Sequence, residues 1–366
     1  MKLSFCKFRS WFIGLALLLV VIPNLNAQQR WSEAHANGWY AQQPWPVGAN
    51  FLPSTAINQL EMWQAESFDA ATIDRELGWA EGIGMNTMRV FLHNLVWEQD
   101  AKGYEHRIDV FLAIAAHHHI RPVFVLFDSC WDPHPKLGIQ HPPIPGVHNS
   151  GWVQAPGTEI LQDPAQYPRL EHYVKGVVGA FANDPRILAW DLCNEPYSYS
   201  LPREKMPGGI VEAESAWLKG LYDKCKQLGA TAPITVGNPP GLPLDVTNPM
   251  SDLLSIHAYW LPGTKKAPFE KKLDVDVAFA QKVKKPLLSS ECCWGSLDDA
   301  VRAEIVRYTL TELKKRNIGW LPYLLHHSLT ADSHGRGFGP VGFPENLAFI
   351  QPDGSLRPGH DVFNEF

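Results

Sequence analysis

Two glutamates follow apolar runs that are typical of buried strands, and each lies where its strand should end. Glu195 follows the segment 187–194 and is preceded by Asn194 and followed by a proline. Glu291 closes the run 286–290 in the same way. One carboxyl group can protonate the leaving oxygen of a glycosidic bond while a second attacks or stabilises the anomeric carbon. The pair therefore predicts the cleavage of glycosidic bonds.

Short apolar runs alternate with amphipathic helical segments along the whole chain. The eight candidate strands are 47–52, 87–92, 122–127, a fourth ending at Glu195, 234–238, 253–259, a seventh ending at Glu291, and 320–327. This order predicts an α/β fold with a parallel sheet, either a single (β/α)8 TIM barrel or an open doubly wound sheet. The barrel is favoured because the polar candidates all fall at the carboxyl ends of different strands.

The helical segments carry recognisable end signals. Hydrophobic periodicity predicts helices over 71–82, 107–118, 167–183, 213–228 and 297–316. Asp69 and Ser296 stand at expected N-cap positions, and Gly229 stands where a helix should end. The stretch 128–166 is rich in Pro, Gly and His and predicts a long irregular loop that walls a cleft beside the third strand.

The N-terminus has the pattern of a secretory signal. Three basic residues precede an apolar stretch at 11–22, which is too short to span a bilayer and is followed by Ala27 as a cleavage site. We therefore expect a signal peptide over 1–27 and one catalytic domain over 28–366, secreted or periplasmic. The alternatives are a buried N-terminal helix or an uncleaved anchor.

Charge and cysteine content exclude several classes of partner and site. The net charge of −6 becomes −9 without Lys2, Lys7 and Arg9, and no lysine or arginine stripe suits a phosphate backbone. Neither nucleic acid nor an anionic membrane is an expected partner. The five cysteines after the signal are odd in number and lack zinc-ribbon spacing, so we expect no disulfide framework, with Cys292 and Cys293 as small apolar fillers.

With their strand numbers, these residues resemble the retaining glycoside hydrolases of clan A, most closely the cellulase and mannanase type of family 5. The resemblance implies Glu195 as acid/base after an Asn at the end of strand four, and Glu291 as nucleophile at the end of strand seven. It also implies that Arg89, at the second strand, supports the nucleophile. The segment 255–259 resembles the strand-six His-x-Tyr of that family.

The physical roles of these groups can be stated separately from the resemblance. Glu195 must hold a proton, so we expect burial and the charge of Glu291 about 5 Å away to raise its pKa. Glu291 must stay ionised and needs donors, which Arg89 and Tyr259 can supply.

Further residues are predicted to bind the sugar itself. Asn194 is expected to hydrogen-bond the 2-hydroxyl, and His257 to orient or re-protonate Glu195. Flat aromatic rings stack on the apolar faces of sugars, which makes Trp260 and Trp294 the candidates for sugar subsites. The complete predicted substrate-binding set is Arg89, Asp128, Trp131, Asn194, His257, Tyr259, Trp260, Trp294 and His327.

Two departures from the family pattern leave the sugar open. The third strand ends in Asp128 where many relatives place His, and the eighth ends in His327 where many place a Trp. Glucan, mannan, xylan and host glycans all remain candidate substrates.

Two other functions fit parts of the sequence. One is a metal-dependent barrel hydrolase that uses Asp128 with the loop histidines His134, His141 and His148. The other is a carbohydrate-binding barrel without turnover. The glycosidase interpretation itself needs neither a metal nor a cofactor.

Overall fold

Eight strands alternate with helices along the chain, and all their pairings are parallel. The computed structural model describes residues 1, 30–142, 149, 151–198, 208–327 and 347–366. The strands are β1 (Gly48–Asn50), β2 (Thr87–Phe91), β3 (Arg121–Val125), β4 (Ala189–Asn194), β5 (Ile234–Gly237), β6 (Leu254–Ala258), β7 (Leu287–Cys292) and β8 (Gly319–Pro322). They pair in chain order, β1 to β5 and then β6 to β8. All eight predicted strands are therefore confirmed.

Backbone contacts join these two runs of strands at both seams. A parallel bridge links Val47, just before β1, with Trp320 of β8. At the other seam the N–H of His257 in β6 donates to the carbonyl of Asn238, just after β5, at 3.2 Å. The sheet thus closes on itself, which confirms the TIM barrel and makes the open-sheet alternative wrong.

Helices surround the barrel and occupy the predicted segments. They are α1 (Glu33–Ala41), α2 (Gln59–Trp63), α3 (Ala70–Gly82), α4 (Asn94–Gln99), α5 (Ala101–His117), α6 (Thr158–Leu161), α7 (Tyr167–Ala180), α8 (Ile210–Gln227), α9 (Leu244–Thr247), α10 (Lys266–Val283) and α11 (Asp299–Lys315). Short 3-10 turns lie at Pro164–Gln166, Asn248–Met250 and His360–Glu365. Of the predicted loop 128–166, the described residues include one helical turn, α6, and one 3-10 turn.

Two of the three predicted helix-end residues are confirmed. The Asp69 side chain accepts from the third N–H of α3, and Gly229 follows α8 with a φ of +78° that only glycine adopts without strain. Ser296 was the wrong N-cap for α11. Asp298 caps that helix, while the hydroxyl of Ser296 accepts from the N–H of Asp298 instead.

The remaining sequence expectations concern the termini and the cysteines. The predicted signal segment 1–27 lies outside the described residues except for Met1. Within the described part, no helix combines the length and the apolar character needed to cross a membrane. The five cysteines there are free and buried, and the sulfur atoms of Cys292 and Cys293 are 3.6 Å apart without a bond. Both residues lie in the buried core, as expected of apolar fillers. Burial acts to raise the pKa of Cys293, but its hydrogen bond with Cys292 and its contact with the buried Arg302 lower it, so Cys293 also has a polar partner.

Candidate active site

The two glutamates converge at the carboxyl end of the barrel, because parallel strands all end on the same side. An oxygen of Glu195, just after β4, and one of Glu291, in β7, lie within 4.8 Å of each other. Carboxyl groups in retaining glycosidases are about 5–5.5 Å apart, and in inverting ones about 6.5–9.5 Å. They face a cavity of about 270 Å³. Its lining residues are Phe91, Asp128, Trp131, Asn149, Trp152, Asn194, Glu195, Pro240, Tyr259, Glu291, Trp294 and Tyr323.

Both oxygens of Glu291 accept from positioned donors. The guanidinium of Arg89 donates to Oε1 at 2.6 Å, and the Tyr259 hydroxyl donates to Oε2 at 2.8 Å. These bonds fix the carboxylate and stabilise its negative charge. The donors are the two that the sequence predicts.

Arg89 also binds a carboxylate that the sequence analysis missed. Its Nε and Nη2 donate to one oxygen of Asp191 at 3.0 and 2.8 Å, and Nη2 donates to Asn194 Oδ1 at 2.9 Å. Burial alone would lower the pKa of Arg89, but Asp191 and Glu291 raise it well above its usual value. Asp191 could have been found as the one charged residue inside the apolar β4.

Replacing Arg89 by Met should destabilise the fold strongly, because two buried carboxylates lose their shared cation. We expect the free energy of unfolding to fall by about 3–5 kcal/mol, measured by urea denaturation. The matched control is Arg307→Met, which removes an ion pair with Glu365 whose side chains are both about half exposed. That change should cost less than about 1 kcal/mol. Equal losses in the two variants would contradict a buried Arg89 network.

Glu195 has an uncommon backbone and a close basic partner. Its φ is +43°, in the left-handed region that non-glycine residues adopt rarely and mostly at functional sites. His257 Nδ1 lies 2.6 Å from Oε1, and the Cys130 thiol lies 3.4 Å from Oε2. A contact as short as the first requires a proton between nitrogen and oxygen. His257 and Glu195 therefore hold a shared proton beside the cavity.

The predicted raised pKa of Glu195 is wrong for this arrangement. Burial acts to raise the pKa, but the hydrogen bond and charge of His257 outweigh it, and the net direction is downwards. The sequence analysis counted burial and the charge of Glu291 but not an imidazole in direct contact. The 2.6 Å contact places His257 where it can pass a proton to Glu195 during the reaction.

Asp128 organises the opposite wall of the cavity. Its Oδ1 accepts from Asn194 Nδ2 at 3.1 Å and from the Cys130 N–H at 2.9 Å, and Oδ2 accepts from the Trp152 indole at 2.8 Å. Asn194 Nδ2 also donates to the sulfur of Cys130 at 4.0 Å. Sulfur is a weak acceptor, so a sugar hydroxyl can take its place. Burial raises the pKa of Asp128 to about 7, with Glu195 adding to the effect and these donors opposing it.

This shift predicts a pH-dependent stability. At a pH between the ordinary Asp pKa near 4 and the folded-state pKa of about 7, Asp128 is protonated in the folded protein and ionised in the unfolded chain. The contribution of Asp128 to the free energy of unfolding is therefore largest at low pH and is lost as the pH rises through that window. Asp128→Asn should remove this slope, so its free energy of unfolding should gain about 4 kcal/mol relative to wild type from pH 4 to pH 8. Parallel pH profiles would contradict the shift.

Most, but not all, of the predicted binding residues meet here. Trp131 and Trp294 line the cavity, together with Phe91 and Tyr323, which the sequence analysis did not identify. Phe91 and Tyr323 could have been found from their positions, since each lies at or just after the end of a strand. The roles of Glu195 and Glu291 in catalysis, and of the lining residues in sugar binding, remain predictions.

Trp260 and His327 lie outside this cavity. Consecutive side chains of an extended segment point to opposite sides. Tyr259 faces Glu291, whereas Trp260 packs edge-on against Tyr308 of α11 and lines a separate cavity of about 340 Å³. β8 ends at Pro322, earlier than predicted, so Tyr323 takes the place expected for His327.

Of the loop histidines, the described ones, His134 and His141, form no ligand group with Asp128. His134 is exposed and pairs with Glu159 at 3.6 Å, His141 is exposed, and His148 is outside the described residues. Over the described ranges, the one group of three ligating side chains close enough to hold an ion is Glu195, His257 and Glu291.

No protein-family model matches the chain, and no curated protein matches it in sequence. Its fold is similar to solved structures. One is an exo-beta-1,4-mannosidase from Opitutaceae bacterium strain TAV5, which is 20% identical with a TM-score of 0.63. The match covers 88% of this chain and 59% of the mannosidase, so the chain spans less than two thirds of that relative. An endo-1,4-beta-mannanase from Rhizomucor miehei is 14% identical with a TM-score of 0.57, covering 89% and 96%.

A third similar structure contains a bound sugar. It is a GH5_18 variant from Streptomyces cattleya in complex with Manb1-4GlcNAc, 15% identical with a TM-score of 0.57, covering 87% of this chain and 79% of the other. Most of the similar structures are thus family 5 mannanases and mannosidases, the family that the strand-end motifs resemble. At these identities the likeness shows a shared fold.

Proposed function

We propose that the protein is a retaining β-glycoside hydrolase that cleaves β-linked poly- or oligosaccharides, with Glu195 as acid/base and Glu291 as nucleophile. The observation that carries the proposal is the pair of carboxyl oxygens within 4.8 Å, one carboxylate bound by Arg89 and Tyr259 and the other by His257. This is the arrangement that double displacement requires.

The reaction follows from the positions of these groups. A Glu291 oxygen attacks the anomeric carbon, the glycosidic bond breaks, and the leaving oxygen takes the proton held by Glu195 and His257. Glu195 then removes a proton from water, whose oxygen attacks the same carbon and releases Glu291. The second Asn194 hydrogen can bond the sugar 2-hydroxyl, a contact that strengthens as positive charge develops.

Among the candidate substrates glucan, mannan and xylan, the similar structures favour a β-mannoside. Two of them are named for β-1,4-mannan bonds, and the third was solved with a mannose-containing disaccharide. Asp128 and Asn194, which adjoin the anomeric site, are the groups expected to distinguish the sugar 2-hydroxyl. Export of the protein, secreted or periplasmic, is part of the proposal and rests on the pattern of 1–27. N-terminal sequencing of the exported protein tests cleavage after Ala27.

A panel of dinitrophenyl β-glycosides and of β-glucan, mannan and xylan tests the function. The first-formed sugar should have the β configuration by proton NMR, because two displacements retain it. A first product of α configuration would move the reaction to the inverting class. Sugar binding without turnover on the whole panel would instead support the non-catalytic carbohydrate-binding barrel.

Removal of metal should leave the rate unchanged. Glu195, His257 and Glu291 could together hold an ion, but both Glu291 oxygens and His257 Nδ1 already bond to protein groups. We expect the same kcat before and after dialysis against a chelator, measured on the best panel substrate. Loss of activity that zinc or manganese restores would favour a metal-dependent hydrolase.

A further inference from the structure

A buried glutamate of helix α8 lies behind the turn that carries Glu195. Glu214 belongs to the second turn of α8, and its side chain is fully buried. A buried carboxyl group is costly unless hydrogen-bond donors surround it. Glu214 has such donors on two loops of the barrel mouth, one after β3 and one after β4. Neither displacement step uses this carboxyl group directly, so its contacts indicate what it does.

The first contact is with the backbone just after Glu195. The N–H of Tyr197 donates to Glu214 Oε2 at 3.0 Å. The Tyr197 hydroxyl lies 3.0 Å from that of Ser215, the next residue of α8. Because Pro196 has no N–H, Tyr197 offers the first backbone donor after Glu195. The turn is therefore bound to α8 at the earliest position that can donate.

The backbone of this turn needs such support. Glu195 has a φ of +43° and Tyr197 one of +70°. Residues other than glycine keep left-handed backbone angles only where the surrounding structure holds them. On the strand side, the N–H of Glu195 donates to the carbonyl of Gly237 in β5 at 2.8 Å. Glu214 supplies the matching contact on the far side of the turn.

The second contact fixes the chain beside Glu195. The hydroxyl of Ser129, just after β3, donates to Glu214 Oε1. The N–H of Ser129 donates in turn to the carbonyl of Asn194 at 3.2 Å. Cys130, the next residue, places its thiol 3.4 Å from Glu195 Oε2. One carboxyl group thus ties the loop after β3 to the end of β4.

We infer that Glu214 is a positioning residue for the acid/base, holding the turn 195–197 so that the Glu195 carboxyl group meets the leaving oxygen. Glu214 is not among the residues that line the cavity, so it acts through Glu195. This inference rests on the proposed function and adds a residue to its machinery.

A misplaced acid affects glycosides according to their leaving group. Phenol leaves poorly and needs a proton, whereas dinitrophenol leaves without one. The value of kcat/KM reports the first displacement, in which Glu195 acts as the acid. Loss of the correct position should therefore lower kcat/KM for a phenyl glycoside and spare the dinitrophenyl glycoside. General loss of structure would lower both values equally.

The test compares phenyl β-mannoside with dinitrophenyl β-mannoside, and the corresponding glucose pair. In Glu214→Ala the Tyr197 N–H loses its acceptor, so the ratio of dinitrophenyl to phenyl kcat/KM should rise at least about tenfold. Glu214→Gln keeps an acceptor oxygen without the charge that strengthens the hydrogen bond, so the ratio should rise less, by about threefold. If Glu214→Ala does not fold, Glu214→Gln alone decides.

The matched control is Glu312→Ala, which removes another buried carboxyl group from an outer helix. Glu312 bonds to Lys315 and Arg316 at the end of α11, and its removal should leave the ratio unchanged. An unchanged ratio in the folded Glu214 variants, or equal losses on both glycosides, would overturn the positioning role and leave the proposed function standing. No release of dinitrophenol by the wild-type protein would overturn the proposed function, and this inference with it.

Discussion

Glu195→Ala should lose nearly all activity on polysaccharide while still reacting with a dinitrophenyl glycoside. A sugar hydroxyl is a poor leaving group and needs the proton of Glu195, so we expect a loss of about 100- to 10,000-fold on polysaccharide. Dinitrophenol leaves without a proton, so its first release should stay close to the wild-type rate. Turnover should then stall, because the same residue activates the water.

Stopped-flow measurement of dinitrophenol separates these steps. The variant should show a fast burst followed by a slow steady state, and added azide should accelerate the second phase by replacing water. Glu159→Ala, which changes an exposed glutamate of α6, serves as the control and should show wild-type rates. Equal losses on polysaccharide and on the dinitrophenyl glycoside, without a burst, would contradict the acid/base role of Glu195.

Glu291→Ala should fail with both kinds of substrate, since the attacking atom itself is gone. We expect kcat to fall by at least about 10,000-fold on polysaccharide and on dinitrophenyl glycoside alike. Arg89 keeps its bonds to Asp191, so the fold should survive the change.

An external nucleophile distinguishes a missing nucleophile from a damaged site. Azide added to Glu291→Ala should occupy the vacated space and attack once, which gives a glycosyl azide of inverted configuration from the dinitrophenyl glycoside. Proton NMR of the product measures this. A burst of dinitrophenol in Glu291→Ala, with none in Glu195→Ala, would reverse the two assignments.

The barrel and its catalytic centre could be predicted because both depend on local patterns. Parallel strands that are buried on both faces give continuous apolar runs, and a polar residue at the end of such a run must face the mouth of the barrel. Glu195 and Glu291 were identified in this way, whereas Arg89, His257 and Tyr259 came from the resemblance to family 5, and the structure places each of these three beside the expected glutamate.

The predictions that the structure corrects depend on where a strand ends and on which residues pack around it. A shift of a few residues at the end of β8 exchanges His327 for Tyr323, and one step along an extended segment turns Trp260 away from the cavity. The pKa of Glu195 depends on its distance from His257, which no sequence pattern gives. The sequence predicts that the loop 128–166 walls the cleft, but it does not give the contacts of this loop with Asn58 and Gln59, which are distant in sequence.

Mass spectrometry of the covalent intermediate tests the role of Glu291 most directly. Glu195→Ala should be mixed with a dinitrophenyl glycoside, quenched during the slow phase, and digested. One glycosyl unit should be found on the peptide that contains Glu291, with the sugar attached to that carboxyl group. Attachment to any other residue, or a complete burst without a modified peptide, would contradict Glu291 as the nucleophile and the retaining mechanism built on it.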